Sequence, residues 1–167
     1  MKKNIILIIC SIAILQSYGQ SAESFLKLGE IRAIKGDYTG AIADYNKAIE
    51  LNPKDADAFN FRGLAKYYLE DYRGAIADYT KSIELNPKDA KPYYNRGNAK
   101  RKLEDYRGAI ADYTKAIELN PKDDAAYYNR GIAKLNLQDK DGACLDWSKA
   151  GELGNAGAYD LIKKFCN

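Results

Sequence analysis

Apolar positions recur through most of the chain at intervals of three and four, the spacing of a helix with one buried face. In the stretch 71–86, Ala75, Ile76, Tyr79 and Ile83 form one such stripe. Asp71 precedes it and can accept hydrogen bonds from the free N–H groups of a first helical turn. Asn86-Pro87 ends it, because proline disfavours helical geometry in the residue before it. Asp89 then caps a second stripe, which carries Tyr93, Gly97 and Leu103. The pair of patterns repeats. Residues 71–104 and 105–138 align without gaps and are identical at 26 of 34 positions. A period of this size predicts a solenoid of helix–turn–helix units, each stacked only on its neighbours. Gly97 sits inside a predicted helix, where glycine costs about 1 kcal/mol against alanine. Its recurrence at every period implies that two helices approach closely there.

The two ends differ from the middle. Lys2 and Lys3 precede an apolar run from Ile5 to Leu15, and Ser17-Tyr18-Gly19 follows. This is the layout of a secretory signal peptide over residues 1–19, cleaved between Gly19 and Gln20. The run is shorter than the roughly 20 residues of a membrane-spanning helix. Cys10 lies mid-run and does not suit lipidation. The expectation is an exported protein, periplasmic or secreted, with no membrane span after cleavage. At the other end the repeat decays after Asp139–Gly157. Leu161, Ile162 and Phe165 then fall at helical spacing around Lys163 and Lys164, as expected of a capping helix over 158–167.

The 34-residue unit resembles the tetratricopeptide repeat (TPR). On that frame the units are 22–55, 56–89, 90–123 and 124–157. An early aromatic recurs as Phe25, Phe59, Tyr93 and Tyr127. Glycine recurs as Gly29, Gly63, Gly97 and Gly131. The second helix repeats Ala41, Ala75, Ala109 and Ala143, then Tyr45, Tyr79, Tyr113 and Trp147. Pro53, Pro87 and Pro121 close three units, and Asn155 stands at that place in the fourth. The resemblance implies an all-α, right-handed superhelical solenoid of four units and a C-terminal cap. It also implies a concave groove lined by the first helix of each unit. The residues around the packed glycine that would face it are Asn60, Phe61 and Leu64; Tyr94, Asn95, Asn98, Arg101 and Lys102; and Tyr128, Asn129 and Ile132. Rings offer contact area and amides can bond a peptide backbone. The same residues could instead recur only because the unit was duplicated.

Two places depart from the family's pattern. Arg62, Arg96 and Arg130 stand where leucine is usual, as Leu28 is in the first unit. Arg32, Lys66, Lys100 and Lys134 stand at an aromatic place. Asp44, Asp78, Asp112 and Asp146 recur on the second helices and are candidate partners. Arg62 has two equal choices, Asp78 in its own unit or Asp44 in the unit before. Removal of residues 1–19 also leaves two cysteines, Cys144 and Cys166. An even count in an exported chain suggests a disulfide, against two buried free thiols. The resemblance favours the bond, since small exported bacterial TPR proteins often end in a similar Gly-Ala-Cys…Asp-Trp stretch and a terminal cysteine.

Charge and chemistry narrow the function. Formal net charge is +3, falling to about +1 without Lys2 and Lys3, and the signs are interspersed. That is no footprint for nucleic acid. The chain has no histidine, no phosphate-binding glycine loop and no nucleophile elbow. The acidic residues recur with the repeat, as caps do. The expectation is a non-enzymatic module without cofactor or metal, which binds a protein or extended peptide in its groove. The alternative is a structural or self-assembling subunit of a cell-envelope complex, for which a homo-oligomer would be natural. The co-chaperone carboxylate clamp is not implied, since the first unit holds Leu26 and Glu30 at its places.

Overall fold

The computed structural model describes residues 21–166; the expected signal peptide lies outside them. The described chain is all helical. Its elements are α1 (Ala22–Ile34), α2 (Tyr38–Leu51), α3 (Ala56–Tyr68), α4 (Tyr72–Leu85), α5 (Ala90–Lys102), α6 (Tyr106–Leu119), α7 (Asp124–Asn136), α8 (Lys140–Glu152) and α9 (Ala156–Phe165). Four antiparallel pairs follow one another as α1–α2, α3–α4, α5–α6 and α7–α8, and α9 closes the row. The first helices of successive units touch one another as well as their own partners. They therefore line the inner side of the superhelix.

Caps set the boundaries. The Asp37, Asp71, Asp105 and Asp139 side chains each accept from a backbone N–H three residues on, at 2.9 Å. Asp55, Asp89 and Asp123 cap α3, α5 and α7, accepting from backbone N–H groups two or three residues on. Each first helix ends in a residue with left-handed backbone. It is Gly36 in the first unit (φ 81°), but Glu70, Glu104 and Gln138 in the others.

Within each unit the glycine of the first helix lies under the ring of the second. A Cβ on Gly97 would stand 2.8 Å from Tyr113, and the same holds for Gly29 under Tyr45, Gly63 under Tyr79 and Gly131 under Trp147. The four rings are fully buried, with Ala41, Ala75, Ala109 and Ala143 beside them. Burial pushes the hydroxyls of Tyr79 and Tyr113 well above the usual tyrosine range. Their partners differ. Tyr113 donates to Asn98 Oδ1 at 2.8 Å, whereas Leu64 holds the equivalent place in the unit before and the buried Tyr79 hydroxyl has no partner.

The charged ladder resolves into intra-unit clamps. Arg62 holds Asp78 with Nε at 2.9 Å and a second bond from Nη2, and Lys66 Nζ reaches the same carboxylate at 2.8 Å. Arg96 and Lys100 hold Asp112 alike, and Arg130 and Lys134 hold Asp146. Each arginine also reaches back one unit with Nη1, to Asn46, Thr80 or Thr114. The open choice is thus settled: the carboxylate comes from the arginine's own unit and a neutral oxygen from the unit before. Buried carboxylates need such partners, since one left unpaired is costly. The first unit lacks the arginine. Arg32 Nη1 lies 3.2 Å from Asp44 Oδ2 but donates to the Gly40 carbonyl, and Asp44 Oδ2 is buried without a hydrogen bond.

At the far end Gly154 (φ 103°) turns the chain out of α8, and α9 begins at Ala156, two residues ahead of the expected 158. Asn155, at the missing proline's place, donates to Asp124 Oδ2 at 2.8 Å. Ala158 is buried among Ala143, Trp147 and Ala150, with Leu161, Ile162 and Phe165 packed around them. The Cys144–Cys166 disulfide joins α9 to α8, with the two Cα atoms 5.8 Å apart.

Two stability outcomes follow from these contacts. Leu28→Arg supplies the missing guanidinium and should stabilise by about 1 kcal/mol, whereas Arg96→Leu should cost about 2–3 kcal/mol; thermal melts of both variants decide it, and a Leu28→Arg melt below wild type contradicts the clamp. The disulfide closes a loop with a sequence separation of 22, so Cys166→Ser should cost roughly 3 kcal/mol. Hydrogen exchange in that variant should rise first in α9, and an unchanged α9 would show that apolar packing alone seats the cap.

Candidate functional site

The residues expected to line the groove fall into three different situations. The asparagines are largely engaged between units. Asn95 Nδ2 donates to Asn60 Oδ1 at 3.0 Å, and Asn129 Nδ2 donates to the Tyr94 hydroxyl at 3.0 Å and to the Ala125 carbonyl. Asn60 is only 5% exposed. These amides tie α3 to α5 and α5 to α7 across the groove floor. Asn98 is taken up by Tyr113.

A second set packs. Tyr94 lies 5.9 Å from the Tyr113 ring. Tyr128 and Ile132 pack against the Trp147 cluster, and the Tyr128 carbonyl accepts the Trp147 indole N–H at 3.2 Å. Phe61 stacks 6.1 Å from Tyr45.

A third set is open. Lys102 is exposed and Arg101 half-buried in the last turn of α5. Arg101 makes no ion pair among the described residues, and its Nε is buried without a hydrogen-bond partner. Its neighbours are the tyrosines of the groove. Burial raises the pKa of Tyr67 and Tyr113; the Arg101 charge opposes that rise at both, and at Tyr113 a side-chain hydrogen bond with Arg101 opposes it as well. Arg32, Arg62, Arg96 and Arg130 each pair with an aspartate, whereas Arg101 has no such partner among the described residues.

At the first-unit end the groove deepens into a cleft of about 340 Å³ between α1, α2 and α3. Phe61 and Leu64 form part of its wall, as do Tyr38, Tyr45, Tyr68 and Glu30. Ile34 stands at its edge, 86% exposed. Tyr38 and Tyr68 stack with centroids 4.8 Å apart and planes 13° from parallel. The Tyr45 hydroxyl is pushed up to about 12, mainly by burial and then by the Glu30 and Asp44 charges. Sequence reading named Phe61 and Leu64 but not the other walls. The available signal was divergence between copies: Glu30 stands where later units have Leu64, Asn98 and Ile132, and Tyr68 where they have Lys102 and Asn136.

Among the described residues no group of three or more His, Cys, Asp or Glu is placed to hold a metal ion. No described helix is long and apolar enough to cross a membrane.

Comparison with known proteins agrees with this geometry. Models described as tetratricopeptide repeat match residues 90–123 and 112–144, and one described as TPR repeat matches 29–69 and 63–100. The crystal structure of MamA superposes with a TM-score of 0.79 at 27% identity, covering 88% of this chain and 86% of that one. The first TPR of Spaghetti (RPAP3), bound to the HSP90 peptide SRMEEVD, superposes with a TM-score of 0.70 at 26% identity, covering 72% of this chain and 95% of that one. No curated protein matches the chain. With four glycine-under-ring helix pairs stacked into one superhelix, and repeat models matching from residue 29 to residue 144, the chain belongs to the tetratricopeptide-repeat family.

Proposed function

We propose that this TPR protein is a non-catalytic adaptor that holds an extended peptide segment of a partner protein along its inner face. TPR repeats are in general protein–protein interaction modules. The observation that carries the finer reading is Arg101. A guanidinium half-buried among tyrosines, with no carboxylate partner among the described residues, keeps its charge available to an acidic group from outside the chain. Tyr67 and Tyr94 beside it, both half-buried, supply contact area at small entropic cost. The similar Spaghetti domain is bound to a short peptide rich in acidic residues, which supports a peptide ligand without making it the same one. The expected clamp residues of the co-chaperone subclass are absent, so a different arrangement of contacts must serve here.

The experiment is affinity capture with the disulfide-bonded protein and with Arg101→Glu. Retained folding by circular dichroism, with partner capture reduced at least tenfold, supports the groove. Equal capture by both proteins would move the binding surface elsewhere. A change of oligomeric state in place of lost capture would favour a structural subunit.

The same proposal includes export, on the basic–apolar–small layout of residues 1–19. Deletion of those residues should retain the protein in the cytoplasm on cell fractionation. Equal export of the truncated chain would refute the assignment.

A further inference from the structure

The cleft between α1, α2 and α3 has a chemical character that the rest of the groove does not share. Its walls are aromatic and aliphatic, contributed by Tyr38, Tyr45, Phe61, Leu64 and Tyr68, and it holds one charged group, Glu30. Glu30 forms no ion pair or hydrogen bond among the described residues. Lys27, one turn earlier in the helix, is paired with Glu23 at 2.7 Å and feels the Glu30 charge only weakly. A carboxylate beside apolar walls attracts a cation brought to it more strongly than one in open water does. Aromatic ring faces attract the same kind of group.

The geometry points to a subsite for a basic side chain, lysine or arginine, presented by the partner segment, with Glu30 as its counter-charge and the rings around its stem and head. This deepens the proposed groove function and rests on it. Lysine and arginine suit the cleft for a second reason. Their aliphatic stems lie favourably along apolar surface while the head reaches a polar group, here from Leu64 to Glu30.

Register within the repeat argues for specificity. One unit on, the equivalent niche has Leu64 for Glu30, Asn95 for Phe61, Asn98 for Leu64 and Lys102 for Tyr68, and Arg101 replaces Tyr67 beside it. The same backbone geometry therefore occurs twice in succession with opposite charge. The first niche accepts a cation and the second repels one. A segment lying along the groove would need a basic residue at the α1–α3 end and an acidic one toward α5, which fixes its direction.

Three small probes test the subsite on the disulfide-bonded protein: N-acetyl-arginine methylamide, its neutral isostere N-acetyl-citrulline methylamide, and N-acetyl-norleucine methylamide. Backbone amide shifts of Phe61, Leu64 and Ala65 report occupancy. The expected result is saturable shifts with the arginine probe, at an affinity about fivefold or more above that of citrulline, and loss of that advantage in Glu30→Gln. Equal affinity for citrulline or norleucine would make the cleft an apolar anchor and overturn the proposal. Absence of any response at these amides would overturn it too. The two readings fail separately. Partner capture lost in Arg101→Glu but unaffected by Glu30→Gln leaves the groove standing and removes the cation subsite. Arginine-specific shifts in a protein whose capture ignores Arg101 do the reverse.

Discussion

Each unit is organised around a ring pressed onto a glycine. With no Cβ at Gly97, the Tyr113 ring can lie against the α5 backbone, and the two helices come as close as the ring's thickness allows. That approach brings the neighbouring positions together as well. Arg96 precedes Gly97 and Asp112 precedes Tyr113, so the half-buried guanidinium and the buried carboxylate meet beside the ring. A buried carboxylate held by one cation would be marginal. Lys100, one turn along α5, closes on the other side at 2.8 Å. The clamp is therefore a consequence of the glycine contact. A larger residue at that place would push apart the helices that hold it.

The same arginines connect one unit to the next. Nη1 of Arg130 bonds Thr114 at 3.0 Å while Nε and Nη2 hold Asp146, and the guanidinium lies 5.5 Å over the Tyr127 ring. One planar group thus serves helix pairing, unit stacking and ring packing, which a lysine could not do. This explains why the family's leucine place could become charged in three successive units without opening the stack. It also explains what is left for binding. Most inward polar groups are already spoken for by neighbours, so the open ones stand out against a saturated background.

Much of the fold was legible because its signals are local: cap, stripe, Asn-Pro stop and a strict period. Gly63 and Tyr79 could be matched by their common recurrence, and Cys144 with Cys166 by counting. Pairing between units was not legible. When Arg62 sees Asp78 and Asp44 at places that both repeat every 34 residues, periodicity gives no ground for choosing, and three-dimensional offset decides. The asparagines were misleading in a similar way. Asn95 reads as a groove donor, yet its acceptor is Asn60 in the adjoining unit, a contact set by how closely α3 and α5 lie. The left-handed residues Glu70, Glu104 and Gln138 were hidden because only Gly36 announces that backbone by its type. The cleft was missed because its walls come from three helices of two units, and none of them is unusual alone.

The two ends of the solenoid solve the terminal problem differently, and the difference bears on the proposed binding surface. At α8 the stacking face is covered by α9, buried around Trp147 and stapled by the disulfide. At α1 the corresponding side leaves Leu28 and Ile31 partly exposed, 39% and 50%, and one oxygen of Asp44 has no hydrogen bond. The unit with the weaker internal ties is the one that forms two walls of the cleft. A ligand lodged between Glu30 on α1 and Tyr68 on α3 would therefore join two units where the chain's own bonds are fewest. A ligand there would favour the state in which α1 is seated against α3. The saturated middle of the stack has no comparable slack. A segment lying farther along, against Arg101, meets a surface already fixed by clamps on both sides. Fewer and more numerous internal bonds thus lie next to each other along one row of helices, with the fewer at the end where the repeat pattern is least strictly kept.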